Sequence, residues 1–406
     1  MDILNLCSRV PFPPKDGGTI GVWTLIENLE KIGDKITVFA LNTNKHYIDV
    51  ENVKDQLPEN VELIAWAINT DLKWNLALKN LLFSKLPYNS ERFFNAEYNH
   101  RLKELLKKKH FDIVQIESPN MGFYIPTIRK YSKAKIVART ANVENEIWQR
   151  VANAEKNTIK RIYYKILAKR MRQHEISVLQ NSDAFLSVTP KDLSYFLEKL
   201  EGKKHIASAV IPTGVNAETI VNSIEEKELA DFFFIGALDW IPNQEGVIWF
   251  LDNVWKEFAE KNPKKYFHIA GRYAPKSFVS LLEKYKNVVY HGEIPDANTF
   301  MRQYPVMIVP LLSGSGMRVK IIEAMANGAL VISTSIGAEG IGAKNNENIF
   351  LADSGEEFID IMTKLSENKE LIHKIRTEAL ELVKSDFSNE QIAYKLHNFF
   401  ENLINK

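Results

Sequence analysis

The amino-acid sequence predicts an α/β protein with two doubly wound domains, each built on a parallel sheet, that face each other across a cleft. Two observations carry this prediction. Short apolar runs alternate with amphipathic helical stretches, which is typical of βαβ units. The alternation then stops and restarts near the middle of the chain, and 406 residues are more than one hydrophobic core usually supports.

The first series of elements predicts a domain at residues 1–212. Two helical stretches, Ile20–Ile32 and Pro119–Tyr131, lie between apolar runs that we interpret as strands. The predicted strands are Ile3–Cys7, Ile36–Leu41, Val61–Trp66, Ile113–Glu117, Ile136–Arg139 and Phe185–Val188. Pro212 and Gly214 then interrupt regular structure, as a linker would.

The second series predicts a domain at residues 213–388, followed by a helix at 389–406 that packs back toward the first domain. The predicted strands are Phe232–Ile235, Phe267–Ala270, Val288–His291, Val306–Pro310 and Leu330–Ser333. The predicted helices are Gln244–Glu260, Ser277–Tyr285, Ala297–Gln303 and Met317–Ala326. Doubly wound sheets bind ligands at the carboxyl ends of their strands, so we expect functional residues in the loops that follow these runs.

Composition narrows the class of protein. The single cysteine, Cys7, excludes a disulfide framework and a cysteine-based zinc site. We see no signal-peptide pattern and no apolar run of about 20 residues, so we expect a soluble, cytoplasmic protein. Residues 1–200 carry 30 lysines and arginines against 23 acids, whereas the remainder carries 22 against 28. The first half is therefore better suited to an anionic partner, unless the asymmetry is compositional scatter.

The most informative segment is the loop and helix that follow the predicted strand ending at Pro310. Gly314, Ser315 and Gly316 would leave backbone N–H groups exposed at a helix start, which favours a bound phosphate. Arg318 adds a cation in the first turn, as does Lys320. Cations there are unfavourable for the helix dipole unless an anion such as pyrophosphate compensates them.

Glu323 lies one turn further along this predicted helix, where its carboxylate could accept hydrogen bonds from sugar hydroxyls. Gly328 is placed to end the helix in the left-handed conformation. An ordinary βαβ turn with a surface pair between Lys320 and Glu323 is the alternative interpretation, and such a pair would contribute little to stability.

The segment closely resembles the donor-site signature of retaining GT-B glycosyltransferases, described as group 1 or family 4-like, which have two Rossmann-like domains. Those enzymes usually carry two glutamates separated by seven residues. Glu323 matches the second glutamate, which in the family binds the donor ribose, whereas the first would fall at Ser315. The resemblance implies donor contacts from the loop residues Gly314, Ser315, Gly316 and Met317.

The resemblance extends over nearly the whole chain. The segment 9–19 looks like the family's first loop, in which Gly17 and Gly18 would approach the donor phosphate or the acceptor, although a Gly-Gly pair is often only a turn. Phe234–Asn243 resembles the loop that opens the second domain, with Gly236 near the donor phosphates. Residues 270–272 resemble the next strand end, where Arg272 could meet the pyrophosphate or simply be exposed.

The segment His291–Ile294 resembles the strand end that borders the nucleotide base. In the family this contact is made through backbone atoms, so the resemblance implies base contacts at His291, Gly292 and Ile294.

The segment around residue 141 departs from the family. Relatives commonly have a histidine, which lies beside the donor sugar, at the position of Ala141. We predict that the departure is tolerated because Arg139, Asn142 or Glu144 compensates for it. We assign catalytic roles to Asn142 and Glu144, although Glu144 is equally interpretable as a helix-start residue that the dipole stabilises.

A basic stretch explains much of the charge of the first half. Residues 156–174 contain seven lysines and arginines between Lys156 and Arg172, and no acid. Apolar residues occur among them at helical spacing. Basic amphipathic helices often lie on anionic membranes, so we predict peripheral contact with the inner face of a membrane. A surface helix packed by one apolar face is the alternative.

The sequence therefore predicts a metal-independent, hexosyltransferase-like enzyme of polysaccharide biosynthesis. It would move a sugar from a nucleoside diphosphate sugar to a lipid-linked saccharide or polysaccharide precursor with retention, while Arg318 and Lys320 stabilise the leaving diphosphate. We expect no cofactor besides the substrate, no bound metal and no nucleic-acid partner. A non-catalytic nucleotide-sugar-binding scaffold and a nucleotide-sugar 2-epimerase on the same fold are the alternatives.

Overall fold

The computed structural model of the chain describes residues 1–15, 17–201, 206–224, 231–314 and 316–405, apart from the side chain of Glu367. The chain divides into two compact units. Unit 1 contains Met1–Pro212 and Ile392–Lys406, and unit 2 contains Thr213–Gln391.

Unit 1 is built on a seven-stranded parallel sheet in the order β3-β2-β1-β4-β5-β6-β7. Its strands are β1 Asp2–Cys7, β2 Lys35–Thr43, β3 Val61–Ile68, β4 Ile113–Ile116, β5 Lys135–Thr140, β6 Ala184–Ser187 and β7 Ala207–Val210. The central strands are buried on both faces, which is why apolar residues predominate in them without strict alternation. The strand order reverses between β1 and β4, so the crevice beside their carboxyl ends is the expected ligand position.

Helices cover both faces of this sheet. They are α1 Gly17–Lys31, α2 Trp74–Phe83, α3 Tyr88–Glu91, α4 Ala96–Lys108, α5 Ile125–Tyr131, α6 Glu144–Ala154, α7 Thr158–Gln180 and α8 Pro190–Leu200. Short 3₁₀ helices occur at Asn44–His46, Lys54–Gln56 and Pro119–Tyr124. The helix predicted at Pro119–Tyr131 is therefore two segments, because a 3₁₀ turn precedes α5.

Unit 2 is built on a six-stranded parallel sheet in the order β10-β9-β8-β11-β12-β13. Its strands are β8 Phe232–Ile235, β9 Phe267–Ala270, β10 Val288–Gly292, β11 Val306–Val309, β12 Leu330–Ser333 and β13 Phe350–Leu351. Its helices are α9 Ile241–Phe250, α10 Lys256–Lys261, α11 Lys276–Leu282, α12 Ala297–Gln303, α13 Val319–Ala326, α14 Gly355–Glu367 and α15 Lys369–Leu382. A 3₁₀ helix at Ala217–Thr219 and π-helical segments at Leu251–Trp255 and Val383–Phe387 complete it.

The last helix, α16, spans Asn389–Ile404. Its apolar residues Leu396 and Phe400 are buried in the same core cluster as Trp23 and Ile26 of α1. His397 reaches the buried Asp34 with Nδ1 2.9 Å from Oδ2. The C-terminal residues thus complete the core of unit 1.

The two predicted strand series are confirmed, and the errors lie at boundaries. The helix predicted from Met317 begins at Val319 instead, because Gly316 adopts a positive φ and Arg318 is its non-helical N-cap. The helix predicted from Gln244 begins at Ile241. The short strands β7 and β13 escaped prediction because they have only four and two residues.

Candidate active site

The carboxyl edge of the unit 2 sheet is formed by loops that pack backbone against backbone. Gly271 N–H donates to the Gly292 carbonyl at 2.8 Å, which joins the loops after β9 and β10. A Cβ on Gly271 would overlap the carbonyl oxygen of Gly236, in the loop after β8. Because only glycine permits this approach, the three strand-end loops form one surface beside β8 and β11, where the strand order reverses.

Lys320, in the first turn of α13, extends its side chain into this surface. Its Nζ donates to Asn243 Oδ1 at 3.2 Å and lies 4.2 Å from the ring centroid of Phe234. A Cβ on Gly236 would lie 3.3 Å from the same Nζ. In turn Asn243 is anchored, since its Nδ2 donates to the Ala237 carbonyl at 2.8 Å. Residues of β8 and of the first turn of α9 therefore position the ammonium group.

The environment of Lys320 disfavours its charged form. Loss of hydration on burial, together with the nearby Arg318 cation, lowers the pKa of Lys320 to about 7. Within the part of the chain that the structure describes, no ion pair includes Lys320. A cation held without a carboxylate partner is suited to an anionic ligand, because a bound anion would restore the charged form.

Arg318 folds over the loop that precedes α13. Its Nη1 donates to the Gly316 carbonyl, and a Cβ on Gly314 would lie 2.8 Å from Nη2. Gly314 has φ +127° and Gly316 has φ +82°, conformations that favour glycine. The two glycines therefore let the guanidinium lie close to the loop backbone. Ser315, also predicted as a donor contact, lies outside the described residues.

Two further predicted donor residues flank Lys320 along the chain. Glu323 is partly buried on α13, and its burial raises the pKa of its carboxyl group above the ordinary value. Met317 is partly buried and packs against the hydrophobic cluster beneath the loop. Glu323 thus belongs to the same helix as Lys320, whereas Met317 packs against the hydrophobic core beneath the loop that precedes this helix.

The predicted contacts after β9 and β10 are arranged differently. Arg272 is exposed, with its guanidinium 5.5 Å from the ring centroid of Tyr273. His291 Nε2 lies 2.9 Å from Nδ1 of His268, so its imidazole is directed at a neighbouring strand. Burial lowers the pKa of both histidines. At the end of β10, Gly292 has φ +71°, and Ile294 packs against the core.

The carboxyl edge of the unit 1 sheet holds a buried ion pair. Arg139 Nη1 lies 3.0 Å from Glu117 Oε2, and their side chains are only 4% and 2% exposed. Gln115 donates to the other carboxylate oxygen of Glu117. Desolvation also raises the pKa of the adjacent Cys7 thiol well above its ordinary value. Arg139 therefore forms a buried ion pair with Glu117. This contact does not support the prediction that Arg139 compensates for Ala141.

Asn142 lies just before α6, and Glu144 is the first residue of that helix. Both lie close to the carboxylate of Glu175. Glu175 of α7 accepts the backbone N–H of Glu144 at 2.8 Å and that of Asn145 at 3.2 Å. Asn145 Nδ2 also donates to Glu175 at 2.8 Å. Desolvation, partly offset by these hydrogen bonds, raises the pKa of Glu175 to about 7. Glu175 therefore caps α6, and burial raises the pKa of the neighbouring Glu144.

Gly17 and Gly18 occupy the start of α1, after the loop that follows β1. A Cβ at Gly17 would meet no atom within 4 Å. Thr19 accepts the backbone N–H of Lys15 at 3.0 Å, which shapes this turn. Unlike Gly271, Gly17 is not required by a close approach of the surrounding residues.

The structure adds three residues that sequence reasoning missed. Asn243 was available as the last residue of the recognised Phe234–Asn243 loop, yet nothing in the sequence shows that it binds Lys320. Glu117 was placed in a predicted strand, but its pairing with Arg139 depends on strand order. Glu175 lies 31 residues from Glu144, so no local pattern indicates the cap. Among the described residues, no group of three or more histidines, cysteines or acids is placed to hold a metal ion.

Comparison with solved structures identifies the fold class. Sucrose-phosphate synthase from Thermosynechococcus elongatus is similar with a TM-score of 0.68 and 16% identity, covering 100% of both chains. HepE from Anabaena, in complex with UDP, is similar with a TM-score of 0.68 and 12% identity over 99% of this chain and 100% of its own. A second HepE structure, with UDP-glucose, gives a TM-score of 0.62. The chain has the GT-B fold, with two parallel sheets.

Comparison of the sequence with protein families gives a match to part of the chain. Residues 230–368, about a third of the chain, match the family Glycosyl transferases group 1. This range contains β8–β13 and every predicted donor residue of unit 2. Over 405 residues the chain is also 23% identical to an uncharacterized 44.6 kDa protein in the cps region of Klebsiella pneumoniae, covering 96% of this chain and 97% of that protein. Unit 2 thus carries a glycosyl transferases group 1 domain.

Proposed function

We propose that the chain is a retaining glycosyltransferase that transfers a sugar from a nucleoside diphosphate sugar to a lipid-linked saccharide or polysaccharide precursor. The observation that carries the proposal is the position of Lys320, whose poorly hydrated ammonium lies beside Gly236 at the carboxyl edge of unit 2. The group 1 family match and the UDP complexes of HepE support a nucleotide-sugar donor.

The proposed chemistry is stabilisation of the departing diphosphate. Negative charge grows on the leaving group as the bond to the sugar breaks. The cations of Arg318 and Lys320 and the N–H groups of the glycine loop would stabilise that charge more strongly than they stabilise the bound substrate. We propose that Glu323 holds the donor ribose, while Asn142 and Glu144 act near the sugar in place of the family's histidine.

The proposed membrane contact is sharpened by the structure of α7. Arg170 donates to the carbonyls of Asn80 and Leu81, at 3.2 and 2.9 Å, so it is engaged in a structural contact. Lys160, Arg161 and Lys165 are exposed. We therefore propose that the first half of α7 provides the electrostatic contact with an anionic inner leaflet. Among the described residues, no helix has both the length and the apolar character to cross a bilayer.

A ligand panel followed by a turnover assay tests the proposed function. We expect one nucleoside diphosphate, and its sugar, to raise the melting temperature selectively, because ligands of the native state stabilise it. That sugar should then be consumed when acceptor lipid is added, and NMR of the product should show the donor's anomeric configuration. Binding without consumption would favour the scaffold alternative. Sugar isomerisation without an acceptor would favour the epimerase.

A further inference from the structure

Helix α2 exposes an unusual amount of apolar surface. Of its ten residues, only Ala77 and Asn80 are buried. The side chains of Trp74 and Phe83 are each 83% exposed. The other large apolar residues exposed in or beside α2 are Leu72, Leu76, Leu78, Leu82 and Leu86. Contiguous apolar surface of this kind is uncommon on a soluble protein and marks an interaction site.

The first turns of α7 extend this surface. Ile159 is 80% exposed, and Ile162 is also exposed. Between α2 and α7 lies an apolar groove of about 320 Å³, lined by residues that include Trp74, Leu78 and Tyr163. We call α2, the groove and the first turns of α7 the apolar shelf.

The charges on the shelf itself are positive, and the acids Asp71 and Glu91 lie at its border beside Leu76 and Phe83. From residue 72 to residue 90 the sequence has lysines at 73, 79 and 85 and no acid. The adjoining turns of α7 add the exposed Lys160, Arg161 and Lys165. Apolar side chains interspersed with lysines and arginines are the composition of helices that lie in the interface of an anionic bilayer.

The fold holds the shelf in place. Arg170 of α7 bonds the backbone carbonyls of Asn80 and Leu81 near the end of α2, where a cation is favourable for the helix dipole. At the other end, the Tyr88 hydroxyl accepts the Lys73 N–H at 3.1 Å and donates to the Lys73 carbonyl at 3.2 Å. Helix α2 is therefore fixed at both ends while its outer side chains remain exposed.

We propose that the apolar shelf inserts into the interface of an anionic membrane, with the side chains of α2 in the acyl region and the cations at the headgroups. The occupant of the surface is the bilayer itself. The alternation of leucines and aromatics with lysines argues against a protein partner, because protein interfaces are depleted in lysine. This inference rests on the proposed function, since a bilayer would present the lipid-linked acceptor to unit 1.

Salt separates insertion from electrostatic attraction. Contacts of α7 with headgroups weaken as salt is added, whereas burial of Trp74 and Phe83 in the acyl region does not. We expect the full chain to retain binding at about 0.5 M salt to vesicles of phosphatidylcholine and phosphatidylglycerol, a concentration at which the Debye length is only a few ångström. The W74S/F83S variant should lose at least about tenfold in partition coefficient there, because it removes two large apolar side chains whose burial in the acyl region does not depend on salt.

Two controls frame the measurement. Tyr47→Ser removes an aromatic side chain that is also exposed on unit 1 but lies outside the shelf, and it should bind vesicles like the unaltered chain. The K160Q/R161Q/K165Q variant should lose binding at low salt and keep the salt-resistant part. In a second measurement, lipids with brominated acyl chains should quench part of the tryptophan fluorescence of the unaltered chain. This quenched part should be missing from the Trp74→Phe variant.

Three results would overturn the proposal. The first is W74S/F83S binding that equals that of the unaltered chain at high salt. The second is a change of oligomeric state in that variant with unchanged vesicle binding, which would assign the shelf to a second copy. The third is binding of a single solubilised polyprenyl phosphate without binding of vesicles. Nucleotide-sugar binding in the absence of vesicles should be the same in W74S/F83S and in the unaltered chain. If neither protein binds a nucleotide sugar, the result counts against the proposed function and not against the membrane contact.

Discussion

The carboxyl edges of the two sheets use cations in opposite ways. In unit 1, Arg139 is buried against Glu117 and completes an internal pair. In unit 2, Lys320 lies beside Gly236 with an amide and an aromatic ring as its neighbours, and no carboxylate pairs with it among the described residues. The same architecture thus pairs its cation with a carboxylate at one edge and leaves it without one at the other, so a charged side chain near a strand end is informative only once its partners are known.

The largest effect we expect is on stability, from breaking the pair in unit 1. Arg139→Met would leave the Glu117 carboxylate buried without its cation, which typically costs about 3–5 kcal/mol. Chemical denaturation of the variant, followed by a probe in unit 1, measures this loss. The double variant E117Q/R139M should recover much of it. An Arg139→Met protein as stable as the unaltered chain would show that the pair is not a structural element.

The counterpart in unit 2 should affect catalysis rather than stability. Arg318→Ala and Lys320→Ala should each lower kcat about 100- to 1,000-fold, because each removes a charge that stabilises the leaving diphosphate. Lys320→Ala should leave stability unchanged or raised, since it removes a poorly hydrated cation. Lys276→Ala, an exposed cation at the start of α11, is the matched control. Full kcat and donor affinity in both variants would make the pair a surface feature.

Two glycines extend the comparison to the backbone. Gly236→Ala would place a Cβ 3.1 Å from Asn243 Nδ2 and 3.3 Å from Lys320 Nζ, so it should displace the ammonium. We expect kcat/KM to fall about tenfold, because small misplacements of a charged group are costly. Gly17→Ala meets no atom within 4 Å, so it should fold normally, and any loss of kcat/KM in it would report a substrate contact at Gly17. A Gly236→Ala protein with unchanged kcat/KM would contradict the proposed position of the ammonium.

The pKa of Lys320 predicts a pH dependence of donor binding. With that pKa at about 7 in the free protein, below the ordinary lysine value, Lys320 loses its charge as the pH rises through 7. A bound pyrophosphate favours the charged form and raises the pKa, so binding takes up a proton above pH 7. Affinity should then fall by up to about tenfold per pH unit until the bound-state pKa is reached.

Calorimetry of nucleotide-sugar binding in buffers of different ionisation enthalpy measures this proton uptake. Lys320→Met, which has no titrating group at this position, should abolish it. Equal binding enthalpies across the buffers for the unaltered chain would contradict the assignment of the pKa to this site.

The smallest effect is expected at Glu323. A ribose contact is much the same before and during the reaction, so its loss weakens ground state and transition state alike. Glu323→Gln should therefore raise the donor KM severalfold with little change in kcat. Steady-state kinetics decides this, and a fall in kcat at constant KM would move Glu323 into the group that acts in the transition state.

The strands and the glycine loop before α13 could be predicted because their signals are local. The runs around Ile113 and Val306 are almost entirely apolar since both faces of each strand are buried, and Gly314 and Gly316 mark a special loop within the sequence. The hydrogen bond between Lys320 and Asn243 and the cap of α6 by Glu175 join residues far apart in the chain. The apolar shelf was missed for a related reason, because a leucine-rich stretch does not reveal whether folding will bury it.

The packing of α16 has a consequence for synthesis. Leu396 and Phe400 fill the same core as Trp23, so unit 1 lacks part of its interior until the chain has been made past residue 400. Unit 2 needs no residue after Gln391, whereas the core of unit 1 combines the first 212 residues with those from Ile392 onward. The N-terminal segment must wait with apolar surface uncovered, which makes it the part of the nascent protein with the greatest need of a chaperone.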